Sequence, residues 1–186
     1  EKVFINNKPE DTPPLLSKCY SPEVLMQLFA MRDLFLAEFD KKTPESELLW
    51  LVLTAILRPC SGVGTAQWQY VLPNKNKSNV QAPLTAFRSK ATEILQDVEF
   101  AQHNGWGSDS HLLMTDTRTP EIHQKLHVDA VVTSPPYPNN YDYADATRLE
   151  MTFWGQVNGW GDLQNAVRKY LICSCSQHAA DRKSVV

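Results

Sequence analysis

Five consecutive residues carry the clearest chemistry in this 186-residue chain: Thr133-Ser134-Pro135-Pro136-Tyr137. Two successive prolines have a fixed φ and no N–H. The segment is therefore stiff, and the carbonyls of Ser134 and Pro135 have no local donor to engage. They can accept hydrogen bonds from the two N–H bonds of a planar amine, which directs the nitrogen lone pair toward an electrophile. Such an amine is a poor nucleophile because its lone pair is delocalised into the ring. Fixed orientation and preorganised acceptors offset part of that deficit. Tyr137 adds a flat face for stacking. A bare Pro-Pro-Tyr is more often only a rigid turn. Here it follows the apolar run Asp129-Ala130-Val131-Val132-Thr133, which reads as a buried strand. In open α/β sheets, ligands bind beyond the carboxyl ends of the strands.

The stretch Val131 to Tyr137 resembles the catalytic motif of amino-directed DNA methyltransferases, in which Asp, Asn or Ser precedes Pro-Pro-Tyr or Pro-Pro-Phe. Its Thr-Ser form is more similar to the N4-cytosine branch than to the N6-adenine branch. The continuation, Pro138-Asn139-Asn140-Tyr141-Asp142-Tyr143-Ala144-Asp145-Ala146-Thr147-Arg148-Leu149-Glu150, resembles a set of bacterial site-specific DNA methylases. The resemblance is strong over residues 110 to 155. It implies all or part of a Rossmann-like, S-adenosylmethionine-dependent methyltransferase fold, with DNA as the partner. The implied reaction is direct methyl transfer to the exocyclic N4 of cytosine, without a covalent enzyme intermediate. Ser134, Pro135, Pro136 and Tyr137 would be catalytic, with Tyr137 stacking on a base taken out of the duplex. Asp116 and Thr133 would bind the cofactor, Asp116 by accepting from the adenine amino group. Asn139, Asn140 and Asp142 would line the base pocket. Asp142 and Arg148 equally suit an ion pair or a charged helix face. The same Pro-Pro-Tyr logic serves N6-adenine methylation, or methylation of an amino group on RNA or on protein glutamine.

The elements that must position these residues fall into two textures. Residues 1–109 read as mainly helical, and 110–186 as a methyltransferase βαβ region. Ser21-Pro22 and Thr43-Pro44 are cap-plus-proline helix starts. The first of these helices presents Val24, Leu25, Leu28, Phe35, Leu36 and Phe39 on one face and stops near Asp40. The second runs to about Leu57 and is apolar all round, which implies burial. Residues 58–82 read as loop. A third helix, about Pro83 to Phe100, carries a stripe of Leu84, Phe87, Ala91, Ile94, Leu95 and Val98. His103 to Asp109 reads as a turn region. His111 to Thr115 and Asp129 to Thr133 read as strands flanking a short helix, Pro120 to Leu126, which suggests a parallel sheet. Further helices are expected over Ala144 to Trp154 and over Asp162 to Gln177.

A complete enzyme of the resembled family needs a glycine-rich turn after its first strand. Arg58-Pro59-Cys60-Ser61-Gly62-Val63-Gly64-Thr65 is the candidate, and a lone Gly-x-Gly is weak support. It follows a helix rather than a strand, has Arg and Cys where Asp and Phe are usual, and leads to Pro73 rather than to a helix. A structural glycine turn is the favoured reading. The chain opens on Glu1, so a piece of a longer protein is admitted. Its partners would then include a second polypeptide supplying missing methyltransferase elements, and the chain itself could be a non-catalytic subunit of a split enzyme.

The net charge of −3 argues against a strongly basic nucleic-acid binder without excluding a local basic face. The longest apolar run, Leu48 to Leu57 broken by Thr54, is too short to span a bilayer. Cys19, Cys60, Cys173 and Cys175 lack a second ligand pair at zinc spacing and read as free thiols in a reducing cytoplasm. The five histidines have no helical metal spacing, so no metal site is expected.

Overall fold

In the computed structural model, residues 12–39, 42–65, 70–107, 110, 129–134 and 141–171 are described. Their architecture is mostly helical, with one two-stranded antiparallel sheet. The helices are α1 (Pro14–Cys19), α2 (Pro22–Glu38), α3 (Pro44–Cys60), α4 (Pro83–His103), α5 (Tyr143–Ala146), α6 (Arg148–Phe153) and α7 (Leu163–Ala166). The strands are β1 (Val63–Thr65) and β2 (Val71–Asn76). None of the described helices is long and apolar enough to cross a membrane.

The two cap-plus-proline starts form as read. Ser21 Oγ accepts from the Val24 N–H at 3.4 Å. Thr43 and Ser46 make a reciprocal capping box that satisfies two otherwise orphaned backbone donors. α2 points Leu25, Leu28 and Phe35 inward, and Arg32 occupies the fourth position of that stripe. The Arg32 guanidinium lies 4.5 and 5.5 Å from the ring centroids of Phe29 and Phe153, which stack on each other, and donates to the Phe153 carbonyl at 3.0 Å. It thereby satisfies a carbonyl at the end of α6.

α3 packs against α2, α4 and α6. Its inner face, Val52, Leu53, Ile56, Leu57 and Cys60, is buried. It is not buried all round: Trp50 and Leu51 are 42% and 46% exposed. Trp50 stacks on Trp154, whose indole N–H reaches Thr54 Oγ1. α3 also continues three residues beyond the expected stop, through Pro59.

The expected loop over 58–82 instead contains the β1–β2 hairpin, in which Gly64 pairs with Leu72 and Thr65 with Val71. Its register breaks between Val63 and Gly64. Every strand of a two-stranded sheet is an edge, so Pro73 is tolerated within β2. Lys77, just past β2, donates to the carbonyls of Arg58 and Pro59 at 2.8 and 3.3 Å. It places a cation on the carbonyl end of α3, where the helix dipole favours it.

α4 is seated mainly at its start, where Pro83 and Ala86 are buried and Phe87 packs on the core. Farther along its expected stripe, Leu95 is 57% exposed. The turn after α4 is real, with Gly105 and Gly107 at φ of +63° and +105°, a region glycine enters without strain.

The second half departs more from expectation. Asp129 to Ser134 form no strand, and Val131 and Val132 are 78% and 98% exposed. A strand of a parallel sheet is buried only with neighbours at its edges and helices on its faces, and no described segment supplies either. The expected strand His111 to Thr115 and helix Pro120 to Leu126 lie outside the described residues. The helix expected over Ala144 to Trp154 is broken at Thr147. There Thr147 Oγ1 bonds back to the carbonyls of Tyr143 and Ala144, and Arg58 takes the Ala146 carbonyl at 2.6 Å. The helix expected from Asp162 is limited to α7, flanked by single 3₁₀ turns at Trp160–Asp162 and Arg168–Tyr170. The rest of that expectation lies outside the described residues.

Candidate functional site

Thr133 and Ser134 are exposed at the end of the 129–134 segment. Pro135, Pro136, Tyr137, Asn139 and Asn140 lie outside the described residues, as does Asp116. The chain is described again from Tyr141, and from there the site can be built residue by residue.

Asp142 is buried. Its carboxylate accepts from the first amides of α5, those of Ala144 and Asp145, at 3.1 and 3.2 Å, as an N-cap should. It also pairs with the buried Arg168, whose Nη2 stands 2.6 Å from Oδ2. Arg168 in turn lies over the Trp160 ring at 4.4 Å. The structure therefore realises the ion-pair alternative for Asp142, and for Arg148 as well. Arg148 Nε lies 3.0 Å from Asp145 Oδ1, close enough for attraction but without hydrogen-bond alignment.

Two further clamps hold the same stretch. Arg58, from the end of α3, makes a two-pronged contact with Glu150 at 2.6 and 3.1 Å besides its bond to the Ala146 carbonyl. Tyr70, just before β2, accepts the Asp142 N–H on its phenol oxygen at 2.7 Å. The Tyr70 ring stacks on Tyr141 with centroids 5.6 Å apart, and Tyr141 meets Tyr143 edge-on at 4.5 Å. Burial, the largest influence on each, raises the phenol pKa of Tyr70 and Tyr141. Both rings stay protonated and neutral well beyond neutral pH.

The Ser61-Gly62-Val63-Gly64 stretch does not form a cofactor cradle. It joins a helix to an antiparallel hairpin, not a strand to a helix. Its donors are already used: Ser61 Oγ and the Gly62 N–H both reach the Cys19 carbonyl, and the Val63 N–H reaches Ser61 Oγ. The left-handed glycines are Gly105, Gly107 and Gly155, none of them in this stretch. Among the described residues no group of three or more metal-ligating side chains is present.

Sequence reasoning reached Asp142 but missed Tyr70, Arg168 and the pairing of Arg58 with Glu150. Arg58 was visible only as an odd residue in a glycine-rich stretch. No local signal marks partners 26, 72 and 92 positions apart. Compared with protein-family models, with characterised proteins and with solved structures, the chain finds no match.

Proposed function

We propose that this chain is all or part of an S-adenosylmethionine-dependent DNA methyltransferase directed to the exocyclic N4 of cytosine. The observation that carries the reading is the Thr133-Ser134-Pro135-Pro136-Tyr137 motif together with its continuation through Glu150. Two features of the described residues agree with it. Ser134 is exposed. The described part of the continuation, from Tyr141 onward, is anchored by the Arg58, Tyr70 and Arg168 side chains from other parts of the chain.

In this reading the Ser134 and Pro135 carbonyls accept the two amine N–H bonds and Tyr137 stacks on the base. Asp142 serves the pocket indirectly, by capping α5 and holding Arg168. The cofactor, when bound, supplies the electrophilic methyl group.

The test uses the full-length protein, S-adenosylmethionine and duplex DNA, with mass spectrometry of the digested nucleosides. N4-methylcytosine is the expected product. Tyr137→Ala should lower its formation at least about a hundredfold while the unfolding midpoint stays put. N6-methyladenine would favour the adenine branch. Calorimetry of the chain with S-adenosylmethionine separates a self-sufficient enzyme from one half of a split one. Undiminished methylation by Tyr137→Ala overturns the assignment.

A further inference from the structure

We propose that the acid-free span from Leu48 to Thr92 presents a contact surface for the phosphate backbone of duplex DNA, with Lys75 and Arg88 as its phosphate-binding cations. The choice of DNA rests on the methyltransferase reading. The surface itself is built from residues other than the Pro-Pro-Tyr motif and its continuation.

The charge of this protein is segregated. Residues 48–92 contain Arg58, Lys75, Lys77, Arg88 and Lys90 and no Asp or Glu. Five cations without an acid give the span +5 inside a chain of net charge −3. A basic stretch on an acidic protein is the electrostatic footprint of a polyanion contact. Three of the five cations are already engaged. Arg58 pairs with Glu150, Lys77 holds the carbonyls of Arg58 and Pro59, and Lys90 pairs with Glu93 at 2.5 Å. Lys75 and Arg88 are exposed, and among the described residues neither has an ion pair or a hydrogen bond.

The fold presents both of them outward. Val63 pairs with Asn76 but Gly64 with Leu72, so Pro73, Asn74 and Lys75 have no partner in the β1 ladder and bulge from β2. Such a bulge re-aims side chains, and here Asn74 and Lys75 are exposed. On α4, Thr85, Arg88, Ser89 and Thr92 follow one another at helical spacing and line a shallow, open recess on its outer face. Glu93 closes the far end of that recess with its charge met by Lys90. Cations interleaved with hydroxyl and amide donors are the side chains that contact phosphodiesters.

The bulge and the helix are fastened to the same place. Lys77, two residues after Lys75, is bonded to the last turn of α3, and the Gln81 N–H reaches the Pro59 carbonyl there at 3.1 Å. α4 starts two residues later, and Arg88 stands about 7.5 Å along it from Pro83. The two cations therefore belong to one braced unit, whose positions are set before a duplex arrives.

The test is the salt dependence of duplex binding by the full-length protein, read by fluorescence anisotropy on a labelled duplex. Replacing Lys75 and Arg88 together by Gln should flatten the plot of log K against log salt by about 1.8, since each lost phosphate contact removes about 0.9. Affinity should fall at least about fivefold, by the same factor on every duplex sequence, because phosphates carry no base identity. Reversal of both charges to Glu should lower it further. Both side chains are exposed, so far-UV circular dichroism should match wild type. The control removes two charges elsewhere, Lys18→Gln with Lys42→Gln, and should leave the slope within about 0.5 of wild type. An unchanged slope in the first pair, an equal loss in the control pair, or a wild-type protein that binds phosphatidylserine vesicles but no duplex overturns the surface. Duplex binding with these slopes but no methylated product overturns the methyltransferase reading and leaves the surface standing.

Discussion

Among the described residues there are two hydrophobic clusters, and they are held by different physics. Around Leu28, Ile56, Leu57 and Phe153 the chain buries a large apolar core drawn from α1, α2, α3 and α6. Around Ala144, Val157 and Leu163 it buries three residues of modest size, with Met151 and Val167 packed against them. The second cluster lies beside the motif's continuation, and its tie is the buried Asp142–Arg168 pair. Where apolar area is plentiful, shape and volume decide stability. Where it is scarce, a few charged contacts fix the geometry. The contrast teaches that the segment nearest the proposed chemistry owes its position to polar side chains, which specify direction better than methyl groups do.

The largest expected effect comes from breaking the polar tie. Arg168→Ala leaves Asp142 without its cation in a site where both side chains are nearly buried, and should destabilise by about 3–5 kcal/mol. Leu57→Ala, fully buried in the apolar core, should cost about 2–5 kcal/mol through lost transfer energy and a cavity. Denaturant unfolding followed by far-UV circular dichroism and by Trp fluorescence checks both. If the comparison holds, replacing Asp142 and Arg168 together by Asn and Met restores much of the loss, because no uncompensated charge remains. A double variant as weak as Arg168→Ala alone would show that the pair is not the tie.

A second lever separates the clusters by pH. Burial pushes the Cys19 and Cys60 thiols of the main core up to about 11 from an ordinary value of 9.0. A folded-state pKa above the unfolded one gives stability that is whole below pH 9 and lost as pH rises through 11. Tyr20, also raised by burial, acts in the same direction. The unfolding midpoint should therefore hold steady to about pH 8.5 and then fall, and the fall should shrink in Cys60→Ala. The same midpoint at pH 8 and pH 10.5 would remove the thiols from the account.

The smallest expected effect is the sharpest test of the 129–134 segment. Val132→Asp should change stability by no more than about 0.5 kcal/mol, since the side chain is almost fully exposed. A central strand at this position would lose several times as much.

What was legible in the sequence, and what was not, follows the range of the interactions. The helix starts at Ser21 and Thr43 are written in two or three adjacent residues, because a cap bonds an amide a few positions on. The α2 stripe was readable too, yet Arg32 was passed over although Leu25, Leu28 and Phe35 bracket it at helical spacing. A polar residue in an apolar stripe signals a partner, here two rings and a carbonyl. The β1–β2 hairpin was hidden because Pro73 and the Asn/Lys patch after it look like loop, and pairing decides otherwise. For the candidate site, the motif was visible and Asp142 was singled out. Tyr70 and Arg168 were not, since their meaning depends entirely on what the fold brings near them.

The bond from Arg32 to the Phe153 carbonyl spans 121 residues. At a bacterial-to-eukaryotic synthesis rate of about 5–20 residues per second, Phe153 is made roughly 6–24 s after Arg32. Throughout that interval α2 carries a guanidinium in the middle of its apolar stripe with neither its carbonyl nor one of its two aromatic faces yet made. The nascent helices can collapse on one another, but the α2 surface remains unsealed until the far end of the chain leaves the ribosome. A ribosome stalled between the two positions should thus display a chain that binds hydrophobic-surface chaperones, and releases them only when α6 has emerged.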